Sequence, residues 1–70
     1  MTQLSQVQVY TARYHVEEGR KALKEQNILE AVRRLKMAAA NANGDQETLD
    51  DIGHPQLSQH IAMYQAEMQS

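Results

Sequence analysis

The stretch VEEGRKALKEQNILEAVRRLKMAAANA, from Val16 to Ala42, decides the fold because it has the pattern of two amphipathic helices joined at Glu25 to Asn27. Asn27 is predicted to cap the second helix, since its side chain can accept a hydrogen bond from the first free amide groups. Glu30 follows three residues later, as in a capping box. So short a connection makes the two helices antiparallel neighbours. The sequence therefore predicts an antiparallel helical hairpin.

The first helix is predicted to reach beyond this stretch, over about residues 3–25. Small and apolar residues recur along it at alternating spacings of three and four, which places them on one helical face: Val9, Ala12, Val16, Gly19 and Leu23. Gly19 lowers helix propensity by about 1 kcal/mol relative to alanine. We therefore expect another helix to approach closely at Gly19, and we expect His15 to lie at the rim of this face.

The second helix is predicted over about residues 28–42, with an apolar side made by Ile28, Ala31, Val32, Leu35, Ala38, Ala39 and Ala42. Asn43 and Gly44 suit the left-handed cap that ends a helix. An acidic connector is predicted over residues 43–54, with a short helical turn through Leu49 and Ile52.

A third helix is predicted over about residues 55–69, because Pro55 fits the first turn of a helix. It carries one apolar stripe, made by Leu57, Ile61, Tyr64 and Met68. Residues 1–70 are then a single all-α domain, a small three-helix bundle. A chain of 70 residues without cysteine has a marginal core, so a protein partner or a homodimer would add stability.

Four positions of the hairpin, Gly19, Ala31, Leu35 and Ala38, resemble one tetratricopeptide repeat, with small and apolar residues at the same relative spacings. The three-helix microtubule-interacting and transport domains have a similar local pattern. The resemblance implies helix-on-helix packing and a binding role. Pro55 stands where the first helix of a second repeat would continue, so the sequence does not predict an array.

The charges are unevenly distributed although the net charge is only −2. All seven Lys and Arg residues lie between Arg13 and Lys36, and an acidic cluster follows, made by Asp45, Glu47, Asp50 and Asp51. These are either solvated faces that complement each other within the fold, or a basic surface for an acidic partner.

No apolar run approaches the roughly 20 residues that span a bilayer, and no signal peptide is recognisable. We expect no membrane association and a cytoplasmic location.

The candidate binding surface is a surplus of apolar side chains on the first helix, made by Leu4, Val7, Tyr10 and Tyr14. Tyrosine suits an interface because it joins an apolar ring to a polar tip. The stripe of the third helix adds Ile61, Tyr64 and Met68. Either the third helix covers this part of the first helix, or a partner does. The second alternative predicts an adaptor, co-chaperone or inhibitor that binds one protein.

The rival hypothesis is a dimeric nucleic-acid-binding or regulatory protein that uses the basic face of the first two helices, made by Arg20, Lys21, Lys24, Arg33, Arg34 and Lys36. The acidic net charge opposes it. We expect no enzymatic activity, no cofactor and no metal. No catalytic motif is recognisable, and His54 and His60 are six residues apart instead of the four that place two ligands on one helical face.

Overall fold

A computed structural model of the protein describes residues 4–69, of which 83% are helical, with no strand among them. Its helices are α1 (Gln6–Lys24), α2 (Ile28–Asn41), α3 (Gln46–Asp51) and α4 (His54–Gln69). The predicted all-α helical bundle is confirmed, with the short α3 as an additional element. None of the helices in the described part of the chain is long and apolar enough to cross a membrane.

The start of α1 is set by a capping box that the sequence prediction did not include. The backbone amide of Gln8 donates to Ser5 Oγ at 3.1 Å, and the Ser5 amide donates to Gln8 Oε1 at 2.9 Å. Both backbone amides thus have a side-chain acceptor at the start of the helix, and α1 begins at Gln6. The predicted start at about residue 3 lies outside the described residues.

We expect Ser5→Ala to lower the free energy of unfolding by about 1 kcal/mol, because it leaves the first amide groups of α1 without their side-chain acceptor. Denaturant unfolding followed by circular dichroism measures this. Gln6→Ala is the matched control, since Gln6 is also exposed but makes no capping bond. Equal effects of the two substitutions would show that the cap does not hold α1.

The turn between α1 and α2 is tight, as predicted. Gln26 adopts a positive φ of 64°, and the Asn27 amide donates to the Ala22 carbonyl at 2.8 Å. Asn27 Oδ1 accepts from the Glu30 amide at 3.4 Å. The reciprocal half of the predicted capping box is wrong: the Glu30 carboxylate binds Arg33 and Arg34 instead.

Small residues form the contact between α1 and α2, where Ala12, Ala31, Ala38 and Ala42 are fully buried. Gly19 lies at a close approach of neighbouring helices, as predicted. A Cβ atom there would lie 2.8 Å from Leu57 Cδ2 and 3.3 Å from Arg34 Cβ. Glycine therefore allows both α2 and α4 to pack against α1 at one position.

The connector after α2 forms α3, which is capped by Asp45 and buries Leu49; Ile52, at its C-terminal end, is also buried. Gly53, with φ +83°, turns the chain into α4. The Arg20 guanidinium donates to the Gly53 carbonyl at 3.3 Å, and Arg13 is 3.7 Å from Asp51. Thus α3 lies beside the N-terminal half of α1, and α4 starts only near Arg20.

The first half of α4 completes the core, and its second half does not. Leu57 is fully buried and Ile61 is 4% exposed, but no later residue of the helix is buried. The molecule measures 44 × 17 × 15 Å, whereas α1 alone accounts for only about 28 Å at 1.5 Å per residue. The fold is therefore elongated, with a core confined to its middle.

Candidate protein-binding surface

The outer face of α1 exposes three large apolar side chains. Val7 and Tyr10 are each 73% exposed, and Tyr14 is 44% exposed. At 100° per residue these positions lie within about 60° of one another and point away from the buried face of α1. We name Val7, Tyr10 and Tyr14 the α1 stripe. The predicted alternative in which the third helix covers these residues does not occur, because α4 begins beyond them.

Tyr14 is held in position by its neighbours. The Arg34 guanidinium carbon lies 5.7 Å from the centre of the Tyr14 ring, a cation–π distance. The His15 ring meets Tyr14 edge-on, with ring centres 5.5 Å apart at 63°. A side chain that is already ordered loses less conformational entropy when a partner binds it.

Arg34 links both helices of the hairpin through a small polar network. Its Nε donates to Glu30 Oε2 at 3.0 Å, and its Nη1 lies 2.9 Å from His15 Nδ1. A guanidinium can only donate hydrogen bonds. His15 Nδ1 therefore accepts the bond, which places the proton of the neutral ring on Nε2.

The expectation that His15 lies at the rim of the core is wrong, since its side chain is buried between the helices of the hairpin. Burial lowers the pKa of His15, and the charges of Arg34 and Arg33 lower it further, against a smaller opposing effect of Glu18. Hydrogen bonds from Arg34 and Arg33 lower the pKa of Glu30. The sequence did contain a signal, because Ala12, His15, Gly19 and Ala22 also recur at spacings of three and four.

The remaining residues of the predicted partner surface lie in different environments. Leu4 is half-buried and packs against the core, and Ile61 belongs to the core. Tyr64 is half-buried, whereas Met68 is 65% exposed. Because α3 and not α4 lies beside the N-terminal half of α1, the α1 stripe and the end of α4 are separate surfaces.

Three of the six predicted nucleic-acid-binding residues make polar contacts within the chain. Arg33 and Arg34 both bind Glu30, and Arg20 is directed toward Gly53 and Gln56. Arg34 is half-buried, whereas the other five predicted residues are exposed. The ion pairs with Glu30 lower the net positive charge that Arg33 and Arg34 offer to phosphate groups.

Two large apolar residues that are exposed in the described part of the chain lie outside the predicted sites. Leu29 is 86% exposed near the start of α2, and Met63 is 55% exposed on α4. Both lie outside the apolar stripes of their helices, so the helical pattern could have indicated their exposure. Each stands apart from the α1 stripe, which makes Leu29 a suitable control position.

Residues 4–69 contain no group of three His, Asp or Glu side chains placed to hold a metal ion. No protein-family model matches the chain, and no curated protein and no solved structure shows significant similarity to it. The likeness of the hairpin to a tetratricopeptide repeat thus stays a resemblance of packing positions. Proposals about function have to come from the surface of this chain.

Proposed function

We propose that the protein is a small interaction module that binds a protein partner through the α1 stripe. The observation that carries this proposal is the exposure of Val7 and Tyr10, each 73% accessible, beside Tyr14 on one face of a single helix. Isolated apolar residues on a protein surface need no explanation, but adjacent ones on one helical face are typical of interaction sites.

The chemistry of the stripe favours a protein surface as ligand. Tyrosine is enriched at the centres of protein interfaces, where its ring is buried and its hydroxyl finds a polar partner. Val7 and Tyr10 lie three positions apart, and Tyr10 and Tyr14 lie four positions apart. This is the spacing with which a helix contacts an apolar groove or another helix.

The rest of the hairpin acts as the support for this surface. The inner face of α1 is fixed by Ala12, Val16 and Gly19 against the other helices, so the stripe is presented on a rigid helix. A rigid surface loses little entropy on association. Adaptor, co-chaperone and inhibitor are the three roles that such binding would serve, and the identity of the partner distinguishes them.

The proposal is tested by capturing proteins from the source cell on the immobilised chain and on a Val7→Glu, Tyr10→Glu variant. We expect the variant to lose one specifically bound protein, because two carboxylates would have to be buried at the contact. Purified partner and chain then give the affinity by calorimetry, and we expect at least a tenfold increase in Kd for the variant.

Leu29→Glu is the matched control, because Leu29 is even more exposed but lies on α2. It should retain the partner at unchanged affinity. Both proteins should unfold at nearly the same denaturant concentration as the wild type, since all three side chains lie on the surface. Capture that is lost with Leu29→Glu and kept with the α1 variant would contradict the proposal.

A further inference from the structure

The two tyrosines of the α1 stripe differ in how their rings are held. The Arg34 guanidinium carbon lies 5.7 Å from the centre of the Tyr14 ring, and the His15 ring meets Tyr14 edge-on at 5.5 Å. Among residues 4–69, Tyr10 has no ring contact of either kind. The orientation of the Tyr14 ring therefore depends on Arg34 and His15, whereas that of Tyr10 does not.

Arg34 is itself held beside Tyr14 by acceptors on two helices. Its Nε donates to Glu30 Oε2 at 3.0 Å, and its Nη1 donates to His15 Nδ1 at 2.9 Å. Two bonds from different nitrogens fix the orientation of a planar guanidinium, whereas one bond leaves it free to turn. The bond to His15 exists only while Nδ1 keeps its lone pair, which requires a neutral ring.

The charged and titratable groups around His15 come from three helices. On α1 and α2 they are Tyr14, Glu18, Glu30, Arg33 and Arg34. On α4, His54 Nε2 donates to the Leu35 carbonyl at 3.0 Å. Burial and then the charges of the two arginines lower the pKa of His15. Hydrogen bonds from Arg34 and Arg33 lower the pKa of Glu30, so Glu30 stays ionised and keeps its bond to Arg34 while His15 titrates.

We propose that His15 is a positioning residue for the α1 stripe: as a neutral ring it holds Arg34 over Tyr14, and its protonation releases both side chains. A protonated His15 has no lone pair at Nδ1 and repels the guanidinium, which then turns about its remaining bond to Glu30. Tyr14 loses its cation–π contact and gains rotamer freedom, which a partner has to remove on binding. Acid conditions therefore weaken binding at the stripe. This consequence rests on the proposed function, whereas the ordering of Tyr14 is a property of the free chain.

Nuclear magnetic resonance of the free chain between pH 8 and pH 5 tests the proposal without a partner. The nitrogen shifts of the His15 ring report its tautomer and its protonation, and the Hα–Hβ couplings of Tyr14 report how many rotamers its side chain samples. We expect one Tyr14 rotamer while His15 is neutral with its proton on Nε2, and an average over rotamers once His15 is protonated. The couplings of Tyr10 should not follow this titration.

Two substitutions separate the hydrogen bond of His15 from the other contacts of its ring. His15→Asn and His15→Leu both remove the imidazole, but only asparagine offers an oxygen that can accept from Arg34. We expect a single Tyr14 rotamer at every pH in His15→Asn and averaging at every pH in His15→Leu. His60→Asn is the matched control, because His60 is exposed on α4, and it should keep the wild-type response. Circular dichroism checks that each variant is folded.

The effect on binding is measured with the protein that the capture experiment identifies. Between pH 8 and the pH at which His15 is protonated, the Kd of the wild type should rise about twofold to tenfold, the range for ordering one side chain. The Kd of His15→Asn should rise less.

Three results would overturn the inference: a Tyr14 rotamer that does not respond to protonation of His15, a His15 ring that stays neutral until the chain unfolds, or an averaged Tyr14 in His15→Asn. An equal rise in Kd for the wild type and His15→Asn would also contradict it. Failure of the proposed function gives a different result. Capture that survives Val7→Glu, Tyr10→Glu would remove the partner surface and leave the response of Tyr14 in the free chain unchanged.

Discussion

Replacing Leu57 with alanine is expected to lower the free energy of unfolding by about 2–5 kcal/mol, the range for removing a large aliphatic side chain from a core. Leu57 is one of the largest fully buried side chains, and it lies against Gly19 where α1, α2 and α4 meet. A 70-residue chain has a total stability of only about 4–10 kcal/mol at usual values per residue. The substitution should therefore remove a large part of the total free energy of unfolding.

The junction between Leu57 and Gly19 can be tested with a double substitution. In the wild type a Cβ at position 19 would lie 2.8 Å from Leu57 Cδ2, and Leu57→Ala removes that atom. Gly19→Ala would then fill part of the cavity and add about 1 kcal/mol of helix propensity. We expect the double variant to be more stable than Leu57→Ala alone, by denaturant unfolding.

The stability of the double variant depends on the energetic coupling between positions 19 and 57. Leu29→Ala serves as the control for the single substitution, because it removes the same number of carbon atoms from an exposed site and should change stability by less than about 0.5 kcal/mol. A double variant in which the two effects simply add would show that Leu57 does not pack on Gly19. A small effect of Leu57→Ala would show that α4 is not part of the cooperative core.

The protein is also expected to lose stability as the pH falls below 6.5, the ordinary pKa of histidine. In the folded chain burial and the neighbouring charge of Arg34 lower the pKa of His15, so the folded state holds this ring neutral. The unfolded state then binds more protons between the two pKa values, and stability rises with pH in that range. The stability that neutral His15 contributes is fully present above pH 6.5. It is lost as the pH falls from the pKa of His15 in the unfolded state toward its lower pKa in the folded state.

The contribution of His15 is isolated by comparing the wild type with His15→Asn. The Asn side-chain oxygen stands at the same distance along the side chain as Nδ1, so it can accept the bond from Arg34 without titrating. Denaturant midpoints measured from pH 8 to pH 5 should diverge, with the wild type losing more stability at the acidic end. The other titrating groups are common to both proteins, so their contributions cancel in the comparison. Parallel curves would contradict the assignment of a neutral, accepting His15.

The hairpin illustrates what periodicity can predict. The predicted start of α2 at Ile28 is correct. It could be predicted because Asn27 is a local capping signal that depends only on neighbouring residues. Gly19 was also correctly assigned to a close contact between helices. The rotational position of the α1 core was less accurate: Val9 and Leu23 are only half-buried, whereas His15 and Ala22 are buried.

The reason for that error is physical. Two neighbouring arcs of α1 both satisfy the spacing of three and four, and hydrophobicity favours the arc with Val9 and Leu23. The arc with His15 and Ala22 is buried because Arg34 on α2 supplies a donor for the histidine ring, and because alanine allows closer helix packing than leucine. The first cause lies on α2, so it is invisible to a pattern within α1 alone.

Local sequence by itself determined the all-helical class, the tight turn at Glu25 to Asn27 and the approximate bounds of three helices, because caps, glycines and proline act within a few residues. The tertiary structure alone decided which residues of the predicted partner surface stay exposed. It placed α3 beside the N-terminal half of α1, buried Ile61, and left the α1 stripe and Met68 accessible. That outcome depends on where Gly53 directs α4 relative to Gly19, a long-range contact that no local pattern encodes.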